Sequence, residues 1–348
     1  MTMRYRHLGR TGLRVSSLAL GVANFGLGWG HGATEADSGL VYRRYREAGG
    51  NVIDTASNYQ NGQSEEITGR LIASDRDDVV LSSKYAMPSS PQAGLHLTGN
   101  SRRALTQSVE ASLRRLNTDR LDILWVHFPD AVTPIEEIAR GLEDVVRSGK
   151  VLYTGFSNFP AWRVAGAATL AELRGWVAPA AVQFEYSLAE RTAEREIIPM
   201  AEAYGLTPFG WSPLGGGLLT GKYRRGEEGR LQKLGVVIRQ EDDERTTAAV
   251  DAVVAVAAEL GVTPGQVAIA WVLQRGVLPL LGPRTLDQLN DNLGAVDLTL
   301  SDHQIRRLDE ASAITLGFPH DMNAGAGTRE MLAGGKSALI DPPATPVR

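Results

Sequence analysis

Eight short apolar runs, each followed by a polar turn and a stretch of helical period, recur along this chain and limit its fold more than any single motif does. They are Val15–Leu20, Val52–Asp54, Val79–Ser83, Ile123–Val126, Leu152–Phe156, Ala181–Phe184, Thr207–Trp211 and Val277–Leu281. Most are apolar on both faces, as parallel strands covered by helices must be. Strands and helices alternating in that number predict an α/β fold of the closed (β/α)8 TIM-barrel type. The rival is an open doubly wound sheet, whose GxGxxG fingerprint follows none of the runs. Gly26-Leu27-Gly28-Trp29-Gly30 is glycine-rich, but His31 and Gly32 follow it and no tight strand–turn–helix fingerprint is formed.

The helices have readable ends. Thr133-Pro134-Ile135-Glu136, Thr263-Pro264-Gly265-Gln266 and Ser301-Asp302-His303-Gln304 each read as a hydroxyl cap with Glu or Gln three residues on. Further helices are expected over Glu35–Ala48, Glu65–Ala73, Ser101–Leu116, Pro160–Leu173, Glu194–Tyr204, Thr246–Leu260, Pro264–Gln274 and Leu286–Leu293. Arg4–Val15, with Gly9-Arg10-Thr11-Gly12 at its centre, reads as a hairpin ahead of the barrel. The charged stretch Leu214–Arg245, with Arg224, Arg225, Glu227, Glu228 and Arg230, reads as a surface excursion. No linker composition divides the chain, so residues 1–348 are expected to form one barrel domain, with an irregular segment at 317–348.

Composition removes several classes of function. There is no cysteine, which excludes disulfides, thiolate metal sites and cysteine nucleophiles. The six histidines show no HExxH or paired ligand spacing, so no metal is expected. A net charge of −4 offers no footprint for nucleic acid or an anionic membrane. With no long apolar stretch, the expected setting is cytoplasmic and off the membrane.

In a barrel, chemistry gathers where strands deliver their C-terminal ends. Asp54 closes NVID, Lys84 closes VVLSSK and His127 closes ILWVH, while Tyr59 lies in the loop after Asp54. These come from strands two, three and four, neighbours around the ring, so acid, ammonium, imidazole and phenol are expected to converge. A free tyrosine titrates at about 10 and is a feeble acid at neutral pH. Lys84 beside it is expected to favour the phenolate, with Asp54 fixing the ammonium and His127 holding a substrate oxygen. Taken singly each has a plainer role: Asp54 a turn cap, Lys84 a solvated strand end, Tyr59 a surface ring, His127 a core-edge imidazole.

Other rim groups suit a flat, amide-bearing ligand. Ser157 and Asn158 follow strand five, Gln183 lies in strand six, and Trp211 ends strand seven, where an indole can stack on a ring. Leu281-Gly282-Pro283-Arg284-Thr285 leads from strand eight into a short helix, an arrangement suited to phosphate. Each again has a plainer role, as a turn cap, as packing or as surface charge. The pocket mouth is expected to draw on Phe25, Trp29, Tyr85 and Phe128, with part of Gly317–Ala326 folding over it.

Taken together, LGRTGLRVSSLALG, NVIDTASNYQNGQSEEITG, VVLSSK, LDILWVHFPD, GKVLYTGFSNF, VQFEYSL, WSPLGGGLLTGKY and GPRTLDQLNDN resemble the aldo-keto reductases. WSPLGGGLLTGKY and GFPHDM resemble most the branch of sugar-aldehyde reductases and potassium-channel β subunits. The resemblance implies a barrel closed below by the N-terminal hairpin and an NADP(H) cofactor held without a Rossmann domain. It assigns Asp54, Tyr59 as general acid, Lys84 and His127 to catalysis. It assigns Ser157, Asn158 and Gln183 to the carboxamide and Trp211 to stacking on the nicotinamide. Ser212, Leu214, Gly217, Leu219, Thr220 and Lys222 would follow the pyrophosphate, and Gly282, Arg284, Gln288 and Asn292 the adenosine phosphate. Asp291 stands where the family commonly has Glu, and Pro283 where a small residue is common.

The expected activity is reversible, NADP(H)-dependent reduction of an aldehyde or ketone by hydride transfer, with a small-molecule carbonyl as partner and a homo-oligomer left open. Two other classes stand beside it: a nicotinamide-binding regulatory or interaction subunit with little turnover, and a barrel lyase or isomerase using Lys84 as a Schiff base.

Overall fold

A computed structural model describes residues 3–90, 92–226 and 241–341. Glu227, Glu228 and Arg230 of the expected surface excursion, and 342–348 of the tail, lie outside the described residues.

The chain opens with an antiparallel hairpin, β1 (Tyr5–His7) and β2 (Arg14–Ser16), in which Arg6 faces Val15. Then β3 (Ala19–Gly21), β4 (Val52–Asp54), β5 (Val80–Tyr85), β6 (Leu121–Val126), β7 (Val151–Ser157), β8 (Ala181–Glu185), β9 (Thr207–Trp211) and β10 (Leu278–Leu281) pair in parallel and close, β10 against β3, into an eight-stranded barrel. The run Val15–Leu20, expected as one strand, is therefore split. Asn51 accepts from the Ser16 amide through Oδ1 (2.8 Å), and its own amide donates to Ser16 Oγ (3.1 Å), so the chain leaves the hairpin there before entering the barrel.

The hairpin closes the lower end. Leu8 and Val15 pack with Ala19, Val52, Val80, Ala181 and Leu278, each the first residue of its barrel strand. Above them Trp125 and Phe209 meet edge to face at 5.3 Å. Gly155 makes room for that indole: a Cβ there would lie 2.4 Å from the Trp125 ring. Removing this apolar surface from water stabilises the barrel by about 25 cal/mol per Å2. The plugged lower end leaves the upper end as the place for a ligand.

Helices wrap the barrel: α1 (Glu35–Glu47), α2 (Gln63–Leu71), α3 (Arg102–Leu116), α4 (Ile135–Arg147), α5 (Ala161–Arg174), α6 (Ile197–Tyr204), α7 (Glu244–Leu260), α8 (Pro264–Gln274), α9 (Leu286–Leu293) and α10 (Asp302–Ala311). The capping boxes at Thr263/Gln266 and Ser301/Gln304 form as their spacing predicts. The one expected at Thr133/Glu136 does not. Pro134 takes the cap position, and the Thr133 hydroxyl donates instead to Asp130 Oδ2 at 2.6 Å, a carboxylate that already accepts from nearby backbone amides. Past Gly317, where irregular chain is expected, two short helices form, α11 (His320–Ala324) and α12 (Ala326–Leu332). No single helix among the described residues is long and apolar enough to cross a membrane.

Candidate active site

The upper strand ends open into a cleft of about 450 Å3. At its floor Lys84, fully buried within β5, spends all three ammonium protons: on Asp54 Oδ2 (2.5 Å), the Thr55 carbonyl (2.9 Å) and the Tyr59 hydroxyl (3.0 Å). A solvated strand end is thereby ruled out for it. Burial alone would pull the ammonium down, but the Asp54 and Tyr59 oxygens outweigh it and hold Lys84 above its ordinary value. Asp54 is equally buried, and its other oxygen accepts from Ser82 Oγ (2.7 Å) and Gln183 Nε2 (3.2 Å).

His127 faces the Tyr59 ring edge to face at 5.8 Å. Burial, and then the Lys84 charge, press its imidazole well below the usual histidine value, so it is neutral at neutral pH. Its Nδ1 is buried without a partner. Asp54, Tyr59 and His127 line the cleft, and Lys84 lies directly behind them.

Ser157, Asn158, Gln183 and Trp211 form the next wall. Asn158, held at φ +60°, ties them together: its Oδ1 accepts from Trp211 Nε1 (3.1 Å), and its Nδ2 donates to the His127 carbonyl and Ser157 Oγ (both 3.0 Å). The indole is therefore oriented by Asn158 rather than loosely packed between layers.

Ser212, Leu214, Gly217, Thr220, Lys222, Gly282, Arg284, Gln288 and Asn292 also line the cleft. Leu219 does not. Within the tight turn Gly215–Thr220 its side chain is directed into the apolar core and fully buried. At the far end the Arg284 amide donates to Gln288 Oε1 (2.8 Å), and Thr285 caps α9 by accepting from the Gln288 amide (3.3 Å). Asp291 lines the cleft with one carboxylate oxygen engaged by Thr263 (2.8 Å).

The mouth differs from expectation. Phe25 and Tyr85 are fully buried core residues, because their strand and loop positions turn them toward the helices; burial drives the Tyr85 phenol upward. Phe128 does line the cleft and is 41% exposed; Trp29 is not among the lining residues, but its ring meets that of Tyr59 edge to face at 5.9 Å. None of residues 317–326 lines it. The chain there is drawn aside toward α6, by Arg195 Nε on the Leu316 carbonyl (2.6 Å) and by His320 against Glu196 (2.9 Å).

Sequence reasoning missed Ala23 and Asn24, in the loop after β3. Asn24 is buried, donates to the Gly282 carbonyl at 2.9 Å and keeps Oδ1 without a partner. The available signal was a lone amide just past an apolar strand, less visible than the charged residues that close the other strands.

Residues 17–313 match the model of the aldo/keto reductase family. An uncharacterized oxidoreductase of Bacillus subtilis, YrpG, is 39% identical over 88% of this chain and 95% of its own length. A norsolorinic acid reductase of Aspergillus flavus is 36% identical over 88% of this chain and 80% of its own. An aldo-keto reductase of Aspergillus calidoustus, ausK, is 34% identical over 92% and 84%. A closed barrel with an N-terminal hairpin, a cleft at its upper end and these relatives lead to one conclusion: the chain belongs to the aldo/keto reductase family, NAD(P)H-dependent oxidoreductases that act on small carbonyl compounds.

Proposed function

We propose that this chain, working as a single barrel domain, reduces an apolar aldehyde or ketone with NADP(H), Tyr59 delivering the proton to the carbonyl oxygen. The observation that carries the reading is the 3.0 Å contact of Lys84 Nζ with the Tyr59 hydroxyl, backed by Asp54 at 2.5 Å. A buried ammonium on a phenol oxygen stabilises the negative charge left when the phenol gives up its proton. Neutral His127 beside that hydroxyl suits a hydrogen bond to the substrate oxygen without adding a competing charge.

The residues fit a nicotinamide cofactor. Hydroxyl and amide groups of Ser157 and Gln183 suit a carboxamide, the Trp211 face suits a flat ring, and the unpartnered Asn24 Oδ1 is an acceptor awaiting a ligand donor. Gly216 and Gly217, both at positive φ, line the cleft without adding a side chain to it. Lys222 and Arg284 suit phosphate groups at the far end. When bound, the reduced cofactor supplies the hydride that the carbonyl carbon accepts.

Phe128 and Trp29 beside Tyr59 favour an apolar substrate over a polyanion. The regulatory-subunit reading needs the cleft but has no use for a fully buried Lys84 spent on Tyr59. The test is NADPH oxidation with benzaldehydes, dicarbonyls, aldoses and ketosteroids. Reduction of the apolar members is expected. No turnover of any of them, or a strong preference for phosphorylated substrates, would sink the reading.

A further inference from the structure

The glycine-rich loop Gly26–Gly30 is no dinucleotide fingerprint, and the structure gives it a different task. Three side-chain amides from the turn that follows Tyr59 hold its backbone. Gln63 Oε1 accepts from the Leu27 amide (2.9 Å), Asn61 Nδ2 donates to the Gly28 carbonyl (2.8 Å), and Gln60 Oε1 accepts from the Trp29 amide (3.0 Å). Gln60 also donates through Nε2 to the carbonyl of Ala23 in the cleft wall (3.0 Å).

Gln60 is fully buried yet sits at φ +51°, in the left-handed region that a glutamine rarely adopts, and Asn61 follows at φ +56°. The loop is fitted tightly against it: a Cβ on Gly28 would lie 2.2 Å from the Gln60 carbonyl oxygen. Backbone strain at a buried non-glycine residue persists only where surrounding contacts enforce it. Here one amide joins the residue after Tyr59, the cleft wall, and the aromatic ring that meets Tyr59 at 5.9 Å.

We propose that Gln60 is a positioning residue that clasps Trp29 against Tyr59, so that Trp29 forms the wall selecting among carbonyl substrates by the size of the apolar group beside the reacting carbon. The role rests on the reductase reading above. Gln60 reaches the cleft wall only at the Ala23 carbonyl and touches neither the carboxamide wall nor the phosphate end, so cofactor affinity is expected to change far less than substrate selectivity.

Gln60→Gly relieves the backbone strain and deletes the amide; Gln60→Met deletes the amide at nearly constant length. In either variant KM for 2-naphthaldehyde is expected to rise about tenfold while that for propanal stays put, with NADPH dissociation constants changing far less; about tenfold is the scale of one lost apolar wall. Trp29→Ala should give the same split, and Gln60→Gly should add nothing to it, since coupled sites are not additive. Hydrogen exchange supplies a readout independent of turnover: the Trp29 amide should lose protection in Gln60→Gly. Unchanged protection overturns the clasp. Lost protection with unchanged selectivity, or an additive double variant, overturns the selecting role alone. A wild type that reduces no carbonyl overturns the reductase reading and the selecting role with it, while exchange still decides the clasp.

Discussion

Gln183 Nε2 donates to Asp54 Oδ1 at 3.2 Å, while Asp54 Oδ2 receives Lys84 at 2.5 Å. One carboxylate on β4 thus links the wall suited to a carboxamide with the ammonium beside Tyr59. Breaking this buried pair from one side leaves a charge uncompensated, which typically costs about 3–5 kcal/mol. Asp54→Asn should therefore destabilise the fold on that scale, because the neutral amide can offer the buried ammonium an oxygen but no compensating charge, and the Thr55 carbonyl and Tyr59 hydroxyl supply none. Urea unfolding measures it. A midpoint equal to wild type would mean that the pair contributes little to holding the barrel rim.

Tyr59→Phe tests the proposed proton donor. The ring keeps its edge-to-face contacts with Trp29 and His127, and Lys84 loses one of three partners. Carbonyl reduction should fall by at least about 10²-fold, the scale of a positioned general acid. NADPH affinity, followed by fluorescence titration, should hardly move. Turnover near wild type would remove Tyr59 from the reaction, and lost cofactor binding would point to a damaged cleft.

The barrel was legible because its signal is repeated. Each apolar run is a weak indication, yet the alternation recurs around the whole ring, and Pro264–Gln274 and Leu286–Leu293 agree with the structure to the residue. Lys84, Asp54 and His127 were legible only as a set, because three neighbouring apolar strands each end in a charged or polar residue, whereas any one of them alone has a plainer role. What was illegible depends on contacts distant in sequence. The break within Val15–Leu20 is made by Asn51, and Thr133 leaves its capping role for Asp130. Phe25 and Tyr85 look like mouth aromatics by position along the chain, but which way a loop or strand-end side chain turns is set by the helices packed outside it. The Gln60 clasp joins residues about thirty positions apart, with no periodicity to announce it.

His127 gives a pH signature. Its imidazole is held well below the ordinary value by burial and by Lys84. Above the unfolded value of about 6.5 both states are neutral and no stability difference arises. As pH falls below it, the unfolded chain binds a proton that the folded chain refuses, so stability drops by up to about 1.4 kcal/mol per pH unit until the folded value is reached. Thermal melts of wild type and His127→Gln between pH 7 and 5 should therefore converge or cross, with wild type losing more. Parallel losses in the two proteins would show that His127 is not the titrating group.

On the proposed function, preference for NADPH is expected to turn on Arg284. NADPH differs from NADH by one phosphate on the adenosine ribose, so preference for it needs positive charge at that point. Arg284 lines the far end of the cleft beside Gln288 at the start of α9, with Lys222 on the same cleft wall set. Two backbone donors there are already engaged: its own amide with Gln288 Oε1, and the Gln288 amide with Thr285 Oγ1. The guanidinium adds a forked pair of charged donors suited to a phosphate. Hydrogen bonds to charged groups are worth about 1.5–3 kcal/mol, so Arg284→Ala should weaken NADPH by roughly 10- to 150-fold. NADH, lacking the phosphate, should be much less affected. Dissociation constants for both cofactors, in wild type and variant, decide the matter. Equal losses for the two, or a wild type that prefers NADH, would assign Arg284 to surface charge and leave the chemistry at Tyr59 untouched.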